Sequence, residues 1–167
     1  MQEYYRDTWA EIDLDAITHN VKQIKDLHPT KEIFAVVKAN GYGHGDAEVS
    51  KVAIEAGVSC LAVSGLDEAL RLRQSGIEVP ILVLGMTRLK DVALAAENNI
   101  SLTAHDEVWI NHLVSLPLEK KIKVHLKIDS GMHRLGLMDA NQIQTNFNLL
   151  KTCLLYTSPS PRDYAAS

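Results

Sequence analysis

The chain has 167 residues, a formal net charge of −4 and two cysteines. That length supports one domain with a real core, and the acidic balance leaves no basic footprint for nucleic acid. Cys60 and Cys153 suggest neither a disulfide framework nor a metal site. No apolar run approaches the ~20 residues of a membrane helix, and residues 1–7 lack the apolar stretch of a signal peptide. A cytoplasmic protein with no metal, nucleic-acid or membrane partner is expected.

Trp9-Ala10-Glu11-Ile12-Asp13-Leu14 alternates as a half-buried strand does. A helix should start near Asp15, an N-cap type, with Ile17, Val21, Ile24 and Leu27 on one face and Pro29 ending it. Strand 33–39 comes next, then a helix from about Asp46 burying Val49, Val52, Ala53 and Ala56. Strand 60–64 leads to a helix with Leu66, Ala69 and Leu70 inward, closed by Gly76. Strand 81–84 is followed by a helix capped by Thr87 that buries Leu89, Val92, Ala93 and Ala96. A weaker strand, 101–104, precedes a helix carrying Trp109, Ile110 and Leu113. Strand 123–128, a loop, and a helix from Asp139 with Ile143, Phe147 and Leu150 aligned complete the rhythm. Repeated β/α units of this size fit either an open doubly wound sheet or part of a (β/α)8 barrel. Periodicity does not choose between them.

Two stretches carry chemistry. In the first, the apolar run Phe34-Ala35-Val36-Val37 stops at Lys38, and Gly41, Gly43 and Gly45 follow with Tyr42 and His44 between them. Desolvation at the mouth of a buried strand lowers an amine's pKa and favours the neutral nucleophile, which is the chemistry of a Schiff-base lysine. A lone lysine there is far more often a solvated strand end. His44 reads as a local hydrogen-bonding residue. The second stretch is Lys123-Val124-His125-Leu126-Lys127-Ile128-Asp129. Its apolar and polar residues fall on opposite faces. In a barrel the apolar set packs outward against helices and His125, Lys127 and Asp129 point inward; in an open sheet the same residues would be the solvated face of an edge strand.

Residues 35–45, Ala-Val-Val-Lys-Ala-Asn-Gly-Tyr-Gly-His-Gly, resemble the pyridoxal phosphate attachment motif of bacterial alanine racemases, in which Ala often stands where this chain has Gly41. Residues 9–14 resemble the family's opening "W-x-E-I-D-L". Residues 127–136 resemble its second signature, "K-x-D-[ST]-G-M-x-R-[LI]-G". The resemblance spans about residues 8–151 and implies an α/β fold. Residues 1–151 would be the N-terminal portion of a pyridoxal phosphate-binding (β/α)8 TIM-type barrel, about five β/α units plus an N-terminal strand. It further implies that Lys38 is both the cofactor's attachment point and a catalytic base. Tyr42 would hydrogen-bond the cofactor phosphate. Leu84, at the end of its strand, is placed either to line the cofactor pocket or to pack in the core. Arg134 would contact the cofactor's phenolic oxygen and the substrate carboxylate. Lys127 matches a lysine that is carbamylated in some members.

The implied activity is interconversion of L- and D-alanine, supplying D-alanine for peptidoglycan, in a homodimer whose second acid–base group is a tyrosine from the partner's C-terminal half. No residue of this chain resembles that tyrosine in context. Ser158-Pro159-Ser160-Pro161 reads as a turn or tail, so residues 152–167 are expected to be non-native or disordered, and the whole to be a truncated fragment inactive alone. Two alternatives stand beside this: a non-catalytic pyridoxal phosphate-binding homeostasis protein, and a racemase of serine or of broad specificity.

Overall fold

The structure, a computed structural model, describes residues 7–152. The tail expected over 152–167 lies outside those residues, apart from Thr152 at the end of the last helix. Helix α1 (Leu14–Leu27) is followed by β1 (Phe34–Val36), α2 (Asp46–Glu55), β2 (Cys60–Val63) and α3 (Leu66–Gln74). Then come β3 (Ile81–Val83), α4 (Val92–Glu97), β4 (Ile100–Ala104), α5 (Glu107–Val114), β5 (Val124–Leu126) and α6 (Ala140–Thr152).

The five strands form one parallel sheet in the order β1-β2-β3-β4-β5. Every neighbour in space is a neighbour in sequence, without the reversal of order that a doubly wound sheet has at its switch point. Register makes the two faces unlike. Leu61, Val63, Ile81, Val83, Leu102 and Val124 alternate onto the face beneath the helices and are 0% exposed. On the other face Phe34 and Val36 remain 40% and 42% exposed. The rings of Phe34 on β1 and His125 on β5 nevertheless meet edge to face with centroids 6.3 Å apart. Four strand spacings laid flat would separate those strands by ~19 Å. The sheet is therefore curled, with helices outside and a concave inner face: an arc of a barrel.

The outer stripes follow the expected periodicity, with local corrections. Residues 9–14 form no strand: Asp13 caps a helix that Leu14 opens. Asp13 Oδ1 accepts a hydrogen bond from the Ala16 backbone N–H at 2.9 Å, so α1 begins one residue before the expected Asp15. Its apolar stripe packs on α2 only partially, and Leu27 is 75% exposed. A 3₁₀ turn, Leu89–Asp91, precedes α4, so Thr87 is not its cap, and Ala95 rather than Ala93 faces the core.

At the N-terminal ends of the strands one side chain fastens two helix-to-strand connections. Arg73 Nη1 donates to the carbonyls of Ile77 at 2.7 Å and Val79 at 2.8 Å, Nε to Asn98 at 3.0 Å, and Nη2 to Asn99 at 2.9 Å. Burial lowers the guanidinium's pKa and the nearby Glu78 carboxylate partly restores it. Only a planar fork of donors can serve four carbonyls from one side chain. Arg73→Ala should lower stability by ~2–3 kcal/mol, the cost of stranding carbonyls that had a charged donor. Arg73→Lys should recover less than half of that loss. Urea midpoints of the 167-residue chain measure both.

Candidate active site

Register assembles one row along the C-terminal rim of the concave face. Val36 lies opposite Ala62, Ala62 opposite Leu82, Leu82 opposite Ser101 and Thr103 opposite His125. Two residues further along the first three strands, the row becomes Lys38, Ser64 and Leu84, beside Thr103 and His125. Lys127 follows at the end of β5, its backbone N–H donating to Ala104 O at 2.8 Å. Leu84 is half-buried just past β3, its N–H donating to Val63 O at 2.8 Å. The inward placement expected of His125 and Lys127 thus holds. Burial holds the His125 pKa below its ordinary 6.5.

The expected strand 33–39 ends at Val36, and the chain then turns the unusual way. Ala39, Asn40 and Gly41 sit at φ 52°, 56° and 61°, and Tyr42 at 55°, so residues 38–42 wind a left-handed turn. Left-handed backbone costs roughly 1–2 kcal/mol for each non-glycine residue, and such strain persists only where surroundings over-determine it. Here Gly41 N–H donates to Val37 O at 2.9 Å, and Gly45 N–H to Asn40 O at 2.9 Å. Asn40 Oδ1 accepts from the first backbone N–H of α2 at 3.2 Å. Glu68 on α3, unmarked by any motif, accepts from the Ala39 N–H at 2.7 Å. His44 behaves locally, as expected: its Nδ1 donates to Gly41 O at 2.9 Å. The turn brings two candidates together, with Lys38 Nζ 5.8 Å from the Tyr42 ring centroid. Lys38 is half-buried and Tyr42 exposed.

The second constellation is a loop tied by a carboxylate. Asp129 does not project into the barrel as expected. Its Oδ1 accepts from the backbone N–H groups of Gly131 at 2.9 Å and His133 at 3.0 Å, and its Oδ2 from that of Arg134 at 3.1 Å. The Gly131 amide first and then that of His133 pull its pKa below the ordinary 3.8. Leu137 closes the loop: its N–H donates to Lys127 O and its carbonyl accepts from Asp129 N–H, both at 2.9 Å. Gly136 (φ 121°) crosses so closely that a Cβ there would stand 2.8 Å from Asp129 N and 3.0 Å from Lys127 O. Arg134 is exposed, and its guanidinium makes no hydrogen bond among the described residues. His105, a residue without a motif, follows β4; it is buried, its Nδ1 meets the Asp106 carboxylate, and its Nε2 has no partner among the described residues. No described helix is long and apolar enough to cross a membrane.

Comparison with known proteins gives these residues a setting. The family described as "Alanine racemase, N-terminal domain" matches residues 12–155. The alanine racemase of Geobacillus kaustophilus is 54% identical over 144 residues, covering 85% of this chain and 38% of that protein. The crystal structure of Bacillus anthracis alanine racemase with bound L-Ala-P superposes with a TM-score of 0.86 at 44% identity, over 94% of this chain and 42% of that one. A histidine racemase from Leuconostoc mesenteroides superposes at 0.81 and 32% identity, over 91% of this chain and 43% of its own. The chain therefore spans well under half the length of these relatives.

Loop 129–136 should be acid-labile. Folded Asp129 holds a proton less tightly than an unfolded aspartate. Its contribution is thus fully present above the ordinary 3.8 and is lost as pH falls through the lowered folded value. Amide exchange at Gly131 and His133, corrected for its intrinsic pH dependence, should accelerate across that window and not above it. Gly136→Ala should loosen the same amides at neutral pH and cost ~1–3 kcal/mol, because the new Cβ meets backbone and the φ is hostile to it.

Proposed function

The chain belongs to the alanine racemase N-terminal domain family, and on that footing we propose that it is the front portion of a pyridoxal phosphate-dependent alanine racemase. The observation that carries the proposal is the left-handed turn that sets Lys38 and Tyr42 side by side at the C-terminal rim of the barrel arc, where barrel active sites lie.

The donor set fits the cofactor. A primary amine (Lys38) suits its aldehyde, a phenol (Tyr42) its phosphate, an apolar wall (Leu84) the side of the pocket, and an unengaged guanidinium (Arg134) its phenolic oxygen and the substrate carboxylate. Pyridoxal phosphate bound there supplies an electron sink that stabilises negative charge at the substrate's Cα. Lys38 then takes or returns the Cα proton on one face as general base and acid. Arg134 fixes the substrate's carboxylate and so the plane in which Cα sits. In this reading the opposite face is served by a tyrosine of the partner in a cytoplasmic homodimer, and the product is D-alanine for peptidoglycan. Lys127 is assigned a carbamate, which would convert a cation near Arg134 into an anion able to hold the guanidinium.

Superposition with a histidine racemase favours a second reading, a racemase for another amino acid built on the same half. One experiment addresses both. Residues 12–151 of this chain replace the matching segment of the Geobacillus kaustophilus alanine racemase, and the chimera is assayed with alanine, serine and histidine. Alanine racemisation within about tenfold of the parent, abolished by Lys38→Ala, is expected. An inactive but folded, dimeric chimera would refute the proposal, and a shift of preference to another amino acid would select the second reading. For Lys127, the intact mass of the 167-residue chain in bicarbonate should show one labile carbamate adduct, absent in Lys127→Ala.

A further inference from the structure

Glu68 occupies the third position of α3, where a carboxylate ordinarily reaches back to cap its own helix. Its Oε2 does this, accepting from the backbone N–H groups of Ser64 at 2.7 Å and Gly65 at 3.1 Å. Its Oε1 does something the cap does not require. It crosses to the turn that follows β1 and accepts the backbone N–H of Ala39 at 2.7 Å, 29 residues away in the chain. Both 2.7 Å contacts are as short as charge-assisted hydrogen bonds get between N–H and carboxylate.

The bonded N–H belongs to the peptide plane joining Lys38 to Ala39. Rotation of that plane changes ψ of Lys38 and φ of Ala39 together, and so swings the turn relative to the Lys38 Cα–Cβ bond. Ala39 stands at φ 52°, ψ 50°, a conformation alanine does not choose unaided. Glu68 is also the only partner of that N–H among the described residues. Without it the first residue of the turn has both a strained backbone and an unmet donor. The 5.8 Å approach of Lys38 Nζ to the Tyr42 ring depends on the same turn.

We propose that Glu68 is a positioning residue for Lys38: one carboxylate oxygen fixes the β2–α3 connection, the other pins the peptide plane that aims the lysine. The functional weight of this rests on the proposed role of Lys38 as the cofactor's attachment point. Glu68 touches neither substrate nor cofactor in this scheme. It acts through the backbone.

The test uses the 167-residue chain with Glu68→Gln, Glu68→Ala and, as a control on the same helix turn, Asp67→Ala. Asp67 pairs with Arg71 at 3.4 Å on the surface and does not reach Ala39. Without cofactor, exchange of the Ala39 amide should accelerate about tenfold or more in both Glu68 variants, the loss of one charge-assisted bond, and stay unchanged in D67A. With pyridoxal phosphate, borohydride trapping and peptide mapping should show attachment at Lys38 in preference to other lysines. That preference should fall about tenfold in E68Q, again the loss of one such bond. If Glu68→Ala unfolds the chain, E68Q carries the test, since Gln keeps the side chain's volume and one acceptor. The double variant E68Q/A39G should regain the Lys38 preference, because glycine adopts a positive φ without penalty. A defect confined to the α3 cap would not be rescued at residue 39. Unchanged Ala39 exchange in the Glu68 variants, or failure of the rescue, overturns the proposal. A parent chain with no preference for Lys38 refutes the cofactor role instead, and the exchange arm still decides whether Glu68 holds the turn.

Discussion

A parallel strand with helices on one side has a single free face, and in this chain that asymmetry governs where chemistry can occur. Leu61, Val63, Ile81, Val83, Leu102 and Val124 are wholly withdrawn from water beneath the helices. A side chain such as Leu or Val gains ~1.5–3 kcal/mol from that burial, so a one-residue slip of any strand would forfeit several such terms at once. Register is therefore fixed from the outside. The inner face inherits whatever lies between the apolar positions: Ser64, Thr103, His125 and Lys127, with Lys38 at the rim. Polarity on the concave face is thus tolerated by the core without weakening it.

The rim is where that order stops and where two carboxylates take over. Glu68 collects the amides of Ser64, Gly65 and Ala39, and Asp129 those of Gly131, His133 and Arg134. In each case one anion organises a segment that has lost its ladder partners, and in each case a cation of the proposed site (Lys38 or Arg134) belongs to that segment. Neither carboxylate is spent on the cation's own charge. Glu68 and Asp129 neutralise backbone donors, leaving ammonium and guanidinium free for a ligand. Had either carboxylate paired directly with its cation, a ligand's aldehyde or carboxylate would have to displace it.

The two faces of each strand were legible because strand alternation has a period of two. Val124, Leu126 and Ile128 against His125 and Lys127 allow one placement once helices are known to lie outside. The choice between arc and open sheet was not legible, since curvature is a property of neighbouring strands and no single segment encodes it. Trp9 to Leu14 alternates convincingly, yet alternation states only a preference, and the capping carboxylate of Asp13 turns the segment's end into a helix. The left-handed turn was hidden for another reason: nothing in the sequence marks Ala39 for a positive φ, and one of the bonds that hold it comes from Glu68, a long-range contact. Asp129 illustrates the same limit. Parity pointed it inward, while three nearby amides offered a better hydrogen-bonding outcome than the barrel interior.

These features bear on specificity in the proposed enzyme. The rim offers an amine, a phenol, a guanidinium and an aliphatic wall, each matched to something that every α-amino acid or its cofactor presents. An α-proton and a carboxylate are common to alanine and histidine alike, and the phosphate belongs to the cofactor. The inner residues nearest Lys38 in register, Ser64 and Leu84, are small or aliphatic and carry no charge to read a side chain. That a histidine racemase superposes on this half at 0.81 agrees with this. On the proposed function, Lys38 and Arg134 would deal with what all α-amino acids share, and nothing on this rim would read one side chain against another.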